Sequence, residues 1–252
     1  MNQVPLVCIP FAGAGASFFH PWNLIAPDEI KIAPMQLPGR ERRIAEEPCR
    51  SAVDAVNGLF HDVAGQFTSG GPVILFGHSL GAVLAFELAR RMSARPDFEI
   101  VELIVSGSPG PWARRGHRAT GLPDDEFLGR VQEFAGYRHE ALEDPEVRDL
   151  ILPTLRADVE MHENYWPGSD DPLPVPITSI RGSDDHLVTA AEAAGWHRAT
   201  SRGFERTDLP GGHMYLARDP APILQHALAA ARRWANAGRG RDTAKQGVRE
   251  CG

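Results

Sequence analysis

The chain has 252 residues, of which 42% are hydrophobic, and its formal net charge is −7. These totals suit one α/β domain with a substantial core, and the acidity without a dominant basic block argues against nucleic acid as the main partner. Three scattered cysteines without a CxxC pair argue against a disulfide scaffold or a zinc site, and no segment reaches the ~18 apolar residues that span a bilayer. The composition therefore predicts a soluble protein of the reducing cytoplasm, with no membrane contact.

The first elements along the chain predict a sheet that starts at once. Val4–Ile9 and residues 30–35 are apolar, β-branched runs that predict two buried strands, with a helix or irregular turn over 17–25 between them. The intervening loop, residues 10–17, is rich in glycine and alanine, but it lacks the third glycine of a dinucleotide-binding turn. Residues 52–67 have apolar side chains at helical spacing and predict an amphipathic helix.

The segment at residues 71–82 (GPVILFGHSLGA) has the pattern of a nucleophile elbow. Residues 73–76 predict a buried strand, residues 82–90 predict a helix, and G-x-S-x-G lies between them with Ser79 at its centre. Glycines at 77 and 81 leave room for a sharp turn, which points the N-terminus of the helix towards a developing oxyanion. The alternative is a chance match in a glycine-rich chain, and the flanking strand and helix argue against it.

The strand–helix alternation stops after a strand predicted over 100–106. Helices are predicted over 124–137, 144–155 and 155–165, with Pro153 as a break between the last two. An insertion of this length exceeds an ordinary crossover, so we predict a helical lid at about 109–167; a merely structural helical extension is the alternative.

The sheet is predicted to resume with strands over 175–181 and Phe204–Leu209, with a helix over 190–200 between them. A last helix is predicted over 222–234, and the polar, glycine-rich residues 236–252 predict a disordered tail. Residues 1–235 are therefore expected to form a single α/β domain, with a mostly parallel central sheet flanked by helices and an inserted lid.

Acyl transfer on a serine requires a histidine base, a carboxylate that orients it and backbone donors for the oxyanion. In an α/β-hydrolase the three side chains occur in the order Ser, acid, His at strand ends, and this chain supplies that order. His213 follows the strand Phe204–Leu209 in a Gly-Gly loop and is the predicted base. Other histidines fit less well: His78 should face away from Ser79, and His186 follows the acid loop too early.

The acid is one of two neighbouring aspartates, Asp184 and Asp185, that follow the strand at 175–181. A Gly-x-x-Asp turn places the second of them towards the imidazole, which favours Asp185, while Asp158 in the lid is a distant third candidate. The expected oxyanion donors are the N–H of Leu80 and an N–H of the loop after the first strand, best placed at Phe11 with Ala12 as the alternative.

Five short segments, taken in order, match the motifs of a known family: residues 9–13 (IPFAG), 37–40 (LPGR), 77–82 (GHSLGA), 152–158 (LPTLRAD) and 210–215 (PGGHMY). On the basis of these segments, the chain from about residue 4 to 234 resembles the discrete type II thioesterases of polyketide and nonribosomal peptide synthesis. It departs at Gly13-Ala14-Gly15, where a Gly-Gly pair is more usual, and at Met214, where phenylalanine is frequent. Both changes bear on substrate preference and leave the chemistry in place.

The resemblance implies a cytoplasmic, monomeric hydrolase that removes misprimed or stalled acyl groups from the phosphopantetheine arm of acyl or peptidyl carrier proteins, with no metal or other cofactor. Apolar lid residues would then line an acyl pocket: Phe127, Val131, Phe134, Leu142, Tyr165 and Trp166. Rival hypotheses are a carboxylester hydrolase, an acyltransferase of the same fold, and a non-catalytic docking protein, for which an intact Ser79, Asp185 and His213 would be unnecessary.

The sequence also contains a set of basic residues, here called the basic set, whose role it leaves open. One interpretation is that the basic set faces an acidic carrier protein, and the other is that it is an ordinary solvated charge cluster. Its members are Arg114, Arg115, His117 and Arg118, joined by Arg40, Arg42 and Arg43.

Overall fold

The described strands of the central sheet all run parallel. The computed structural model describes residues 3–67, 71–114, 118–135 and 144–249, of which 134–135 and 239–249 are described by their backbone only. Within these residues six strands form one sheet in the order β2-β1-β3-β4-β5-β6. The strands are β1 (Val4–Ile9), β2 (Ile30–Pro34), β3 (Pro72–His78), β4 (Glu99–Ser106), β5 (Ile177–Gly182) and β6 (Phe204–Leu209).

Helices cover both faces of the sheet, because strand residues alternate between the two faces and both sets are apolar. In β1, Val7 and Ile9 pack into the cluster that contains α1 and α2, whereas Leu6 and Cys8 pack against α6. A 3₁₀ segment, Ala16–Leu24, joins the α6 face through Phe19 and Trp22. The helices are α1 (Ala52–Gln66), α2 (Leu80–Ser93), α3 (Asp124–Ala135), α4 (Pro145–Glu163), α5 (Ala190–Ala194) and α6 (Ala221–Arg249).

The lid, by which we mean α3 and α4, is inserted between β4 and β5 and has a small core of its own. Phe127 and Leu128 of α3 pack there against Leu152, Leu155 and Val159 of α4. The prediction that Pro153 separates two helices is wrong, because α4 runs unbroken through it from an N-cap at Asp144. Proline removes one backbone hydrogen bond, and the packing of the buried α4 face on both sides of Pro153 outweighs that loss.

Two boundaries near the C-terminus also differ from the prediction. The helix expected over 190–200 is α5 followed by a 3₁₀ turn, Gly195–Ala199, which tightens so that Trp196 is buried. The last helix, predicted to stop at Trp234, continues as α6 to Arg249, where a disordered tail was expected. The backbone stays helical past Gly238 although glycine has low helix propensity. Within the described part of the chain, no helix is both long and apolar enough to span a membrane.

Candidate active site

Ser79 lies on the turn between β3 and α2 in a strained backbone conformation. Its φ is 53° and its ψ is −116°, values that a residue with a side chain rarely adopts. The turn is held from the neighbouring strand, since the Ser79 N–H donates to the Ser106 carbonyl at 2.8 Å. Leu80 begins α2, so its N–H belongs to the first turn, which has no intrahelical acceptor.

The two glycines of the elbow are required by close backbone contacts. A Cβ at Gly77 would overlap the carbonyl group of Gly81, and a Cβ at Gly81 would overlap the carbonyl oxygen of Ile9. Both obstacles are backbone atoms, which have little freedom to move. The elbow therefore excludes every side chain at both positions and brings α2 directly against the end of β1.

We expect Gly77→Ala to lower the free energy of unfolding by at least about 3 kcal/mol, because the added methyl group can be accommodated only by shifting the elbow. Gly58→Ala is the matched control, since a Cβ at this exposed position in α1 would meet nothing within 4 Å. It should raise stability by about 0.5–1 kcal/mol through its helix propensity. Urea denaturation of both variants measures the difference. Equal stabilities would show that the elbow tolerates the methyl group.

His213 is paired with Asp185. The imidazole Nδ1 lies 2.8 Å from Asp185 Oδ2, and the other carboxylate oxygen accepts the N–H groups of Leu187 and Val188 at 2.8 and 3.2 Å. Asp184, by contrast, is exposed, and its carboxylate accepts a bond from the adjacent Ser183 hydroxyl. With a carboxylate at Nδ1, the neutral imidazole carries its proton there and leaves Nε2 free to act as a base.

Asp185 is held as a carboxylate although it is buried. Burial by itself would raise its pKa, but the bonds from His213, Leu187 and Val188 more than offset that effect, so the pKa lies below its ordinary value of 3.8. Asp185 is therefore ionised throughout the neutral range. It can stabilise the positive charge that His213 acquires when it takes a proton.

A second buried chain of polar groups lies behind His213. The His78 Nδ1 is 2.8 Å from the Ser106 hydroxyl, which is 2.6 Å from the Tyr215 hydroxyl, and the ring centroids of His78 and His213 are 4.8 Å apart. Burial, together with the nearby charges of His213 and His162, holds the pKa of His78 well below its ordinary value of 6.5. His78 is thus a neutral packing group directed towards Ser106.

Ser79 and His213 open onto one cavity of about 690 Å³, a size typical of small-molecule sites. Its walls come from the turn after β1, from residues 186–189, which follow Asp185, and from the lid. The β1 turn, by which we mean residues 11–14, contributes all four of its residues. Further lining residues include Gly107, Pro109, Arg114, His186, Leu187, Val188, Glu192 and Met214.

Of the lid residues predicted to line a pocket, the structure places one on the cavity wall and others away from it. Val131 lies on the cavity wall. Phe127 does not, because it is 1% exposed inside the lid's own core, beneath the guanidinium group of Arg156. Tyr165 is also elsewhere, since it follows α4 and donates its hydroxyl to Glu87 of α2 at 2.6 Å, and the neighbouring Trp166 is exposed. The side chain of Phe134 and the whole of Leu142 lie outside the described residues.

The main lid wall of the cavity comes instead from one stripe of α4. Ile151, Leu155, Val159 and His162 all line the cavity, and their spacing of four, four and three residues places them on one helix face. The predicted break at Pro153 divided this stripe between two helices. Reading residues 145–163 as one helix would have revealed it.

The described members of the basic set are held in different ways, and Arg42 is exposed. Arg40 is 6% exposed and makes a buried ion pair with Asp158, so neither the docking role considered for Arg40 nor the acid role considered for Asp158 fits the structure. Arg43 pairs with Glu46, Arg118 donates to Asn164, and Arg114 lines the cavity. Arg115 and His117 lie outside the described residues.

Comparison with known proteins agrees with this architecture. Residues 4–230 match the family model of the thioesterase domain. The chain is 36% identical over 226 residues to the gramicidin S biosynthesis protein GrsT of Aneurinibacillus migulanus, covering 88% of this chain and 87% of that protein. It is 33% identical over 215 residues to the thioesterase PikA5 of Streptomyces venezuelae, covering 85% of this chain and 76% of that protein.

Among solved structures, the type II thioesterase BorB from the borrelidin biosynthetic cluster is similar with a TM-score of 0.82 and 33% identity, covering 91% of this chain and 93% of that one. These similarities, with the parallel sheet and the elbow, confirm the predicted α/β-hydrolase fold. The chain belongs to the thioesterase family.

Proposed function

We propose that this protein is a serine thioesterase that hydrolyses acyl groups from the phosphopantetheine arm of acyl or peptidyl carrier proteins. The observation that carries the proposal is the convergence of the strained Ser79 elbow and the Asp185–His213 pair on one lid-covered cavity. The cavity volume suits an acyl group together with the end of its arm. The membership of the thioesterase family selects the thioester among the acyl compounds that such a site could cleave.

The chemistry follows from the roles of the three side chains. His213 Nε2 takes the proton of Ser79 as Oγ attacks the thioester carbonyl, and Asp185 holds the imidazole in the required tautomer. The tetrahedral intermediate collapses with loss of the pantetheine thiol, which takes its proton from His213. Water then attacks the acyl-enzyme with His213 again acting as the base, and the free acid and the Ser79 hydroxyl are restored.

The oxyanion is assigned to two backbone donors, the N–H groups of Leu80 and Phe11. Leu80 is the first residue of α2, so its N–H points from the positive end of the helix. Phe11 begins the β1 turn and lines the cavity together with Ser79. Ala12, the alternative donor, lies on the same wall.

The biological role is inferred from the relatives. GrsT is a gramicidin S biosynthesis protein, and BorB is a type II thioesterase of the borrelidin cluster. By this likeness we assign our protein to polyketide or nonribosomal peptide synthesis, where it would remove aberrant or stalled acyl units from carrier proteins. We further expect a monomer in the cytoplasm, a reducing compartment in which the free thiols of Cys8 and Cys49 would be stable.

A panel of acyl-carrier-protein thioesters, short against long, tests the function. We expect the value of kcat/KM for a short acyl group on a carrier protein to exceed that for the ethyl ester of the same acid by at least about tenfold, because the family chemistry is directed at thioesters. Analysis of the product should show the free acid. A preference for the oxygen ester would contradict the thioesterase assignment, and transfer of the acyl group to an added alcohol would indicate an acyltransferase.

A further inference from the structure

Two segments that carry the family resemblance have no part in the chemistry described so far: residues 37–40 (LPGR) and 152–158 (LPTLRAD). The structure joins them through their last residues. Arg40 Nη1 donates to Asp158 Oδ2 at 2.6 Å and Arg40 Nη2 to Asp158 Oδ1 at 2.8 Å, with 7% and 0% of the two side chains exposed. This is a bidentate, buried ion pair between the loop after β2 and helix α4 of the lid.

The same ion pair binds both a backbone N–H and a backbone carbonyl of the β1 turn. Asp158 Oδ2 accepts the N–H of Gly13 at 2.8 Å, and Arg40 Nη1 donates to the carbonyl of Ala14 at 3.1 Å. The turn closes on itself through the bond from the Ala14 N–H to the Phe11 carbonyl at 3.0 Å. Gly13 has a φ of +77°, as the third residue of a type II turn requires.

A neighbouring contact ties the same three segments together. The Thr154 hydroxyl of α4 donates to the Gly39 carbonyl at 2.6 Å, and a Cβ added at Gly13 would lie 3.0 Å from Leu155 Cδ1. Leu155 belongs to the stripe of α4 that lines the cavity. The helix face that forms the lid wall is therefore continuous with the residues that fix the β1 turn.

We propose that Arg40 and Asp158 are positioning residues for the oxyanion hole. They fix the β1 turn, and with it the N–H of Phe11, relative to Ser79, and they link that position to lid helix α4. The inference rests on the proposed function, in which Phe11 supplies an oxyanion donor. An oxyanion donor acts only within about 2.7–3.1 Å of the developing charge, and a displacement of about 1 Å can cost about a hundredfold in rate.

The chemistry of the pair separates this role from simple attachment of the lid. Replacing a buried ion pair by apolar residues of similar size is often neutral or stabilising, so a mere clamp would work as well without charges. Apolar side chains, however, can neither accept the Gly13 N–H nor donate to the Ala14 carbonyl. The positioning role therefore predicts that stability and activity respond differently to the same substitution.

The test is the double variant Arg40→Met/Asp158→Leu. We expect a melting temperature close to that of the wild type, because removal of the two buried charges offsets the loss of the bonds to Gly13 and Ala14. We also expect a kcat for a short acyl-pantetheine thioester at least about tenfold lower, with KM within about threefold, because the loss falls on the transition state. Labelling of Ser79 by a fluorophosphonate should slow in parallel, since its phosphonyl oxygen occupies the same hole. The single variant Asp158→Asn keeps the shape of the side chain and serves if the double variant does not fold. It leaves the buried Arg40 charge unpaired, so we expect a lower melting temperature together with the same fall in kcat and labelling rate.

Glu160→Gln is the matched control. Glu160 lies two residues from Asp158 on α4 and pairs with Arg50 at 2.6 Å, so it also ties the lid to the body, but at the surface and away from the β1 turn. Its kcat and labelling rate should stay within about twofold of the wild type, as expected for an exposed ion pair. A double variant with wild-type kcat and labelling would overturn the inference, as would an equal loss in Glu160→Gln.

The two proposals fail in different ways. A wild-type protein that is labelled at Ser79 but does not hydrolyse thioesters would contradict the proposed function alone, and the labelling rates of the variants would still decide the role of Arg40 and Asp158. A wild-type protein that is neither labelled nor active would overturn both.

Discussion

Replacing Ser79 by alanine is expected to lower thioester hydrolysis at least about a thousandfold, because it removes the hydroxyl that forms the acyl-enzyme. The variant should fold normally. The Ser79 side chain makes no capping hydrogen bond to α2, and alanine accepts the positive φ of this turn about as readily as serine does. Steady-state kinetics on an acyl-pantetheine thioester and thermal melting, recorded on the same preparation, measure the two effects separately.

Covalent labelling identifies the nucleophile directly. A fluorophosphonate should add one phosphonyl group to the wild type and none to Ser79→Ala, as read by intact-protein mass spectrometry. The control is Ser169→Ala, since Ser169 bonds Asp171 in a surface loop away from the cavity. That variant should be labelled and active like the wild type. Full hydrolysis by a well-folded Ser79→Ala protein would rule out the serine mechanism.

Replacing Asp185 by asparagine should lower kcat by about a hundredfold to ten-thousandfold through the tautomer of His213. An amide can still accept the N–H groups of Leu187 and Val188 with its oxygen, but its NH₂ group then faces His213 Nδ1. The imidazole can meet that donor only by moving its own proton to Nε2. In that tautomer it no longer accepts the proton of Ser79.

Asp184→Asn is the matched control for this effect. It removes the same charge one residue away, but from an exposed carboxylate that has no described bond to His213. Screening by water and salt keeps such a long-range change small, so its kcat should stay within about twofold of the wild type. The comparison is made at neutral pH, where Asp185 is ionised. Wild-type activity in Asp185→Asn, or its loss in Asp184→Asn, would reverse the choice between the two aspartates.

Much of the fold follows from local pattern. The elbow is encoded within a few residues, since only glycine fits at 77 and 81 and a buried strand precedes the turn while a helix follows it. The alternation of apolar runs with amphipathic helices is sufficient for a parallel sheet covered on both faces, which the structure confirms. The same rule predicts the chain order of Ser79, Asp185 and His213, because each follows a strand and all parallel strands end at one edge.

Lid details were predicted less well because helix boundaries there depend on packing. Pro153 is a helix breaker by local propensity, yet α4 continues through it because its buried face is apolar on both sides. That error hid the stripe from Ile151 to His162. Phe127 and Tyr165 were predicted as pocket residues because they are apolar and belong to the lid segment. One of these packs inside the lid core, and the other bonds Glu87 on α2.

By itself, then, the sequence determined the nucleophile elbow, the class of fold and the chain order of the strand-end residues from which a triad is built, since these depend on neighbours along the chain. Only the tertiary structure decided which aspartate meets His213, which lid residues face the cavity, and that Arg40 and Asp158 are partners. Those two residues are 118 positions apart, and their bond also requires the β1 turn to lie between them. Such contacts depend on how the inserted helices fold back over the sheet, and no local pattern records that.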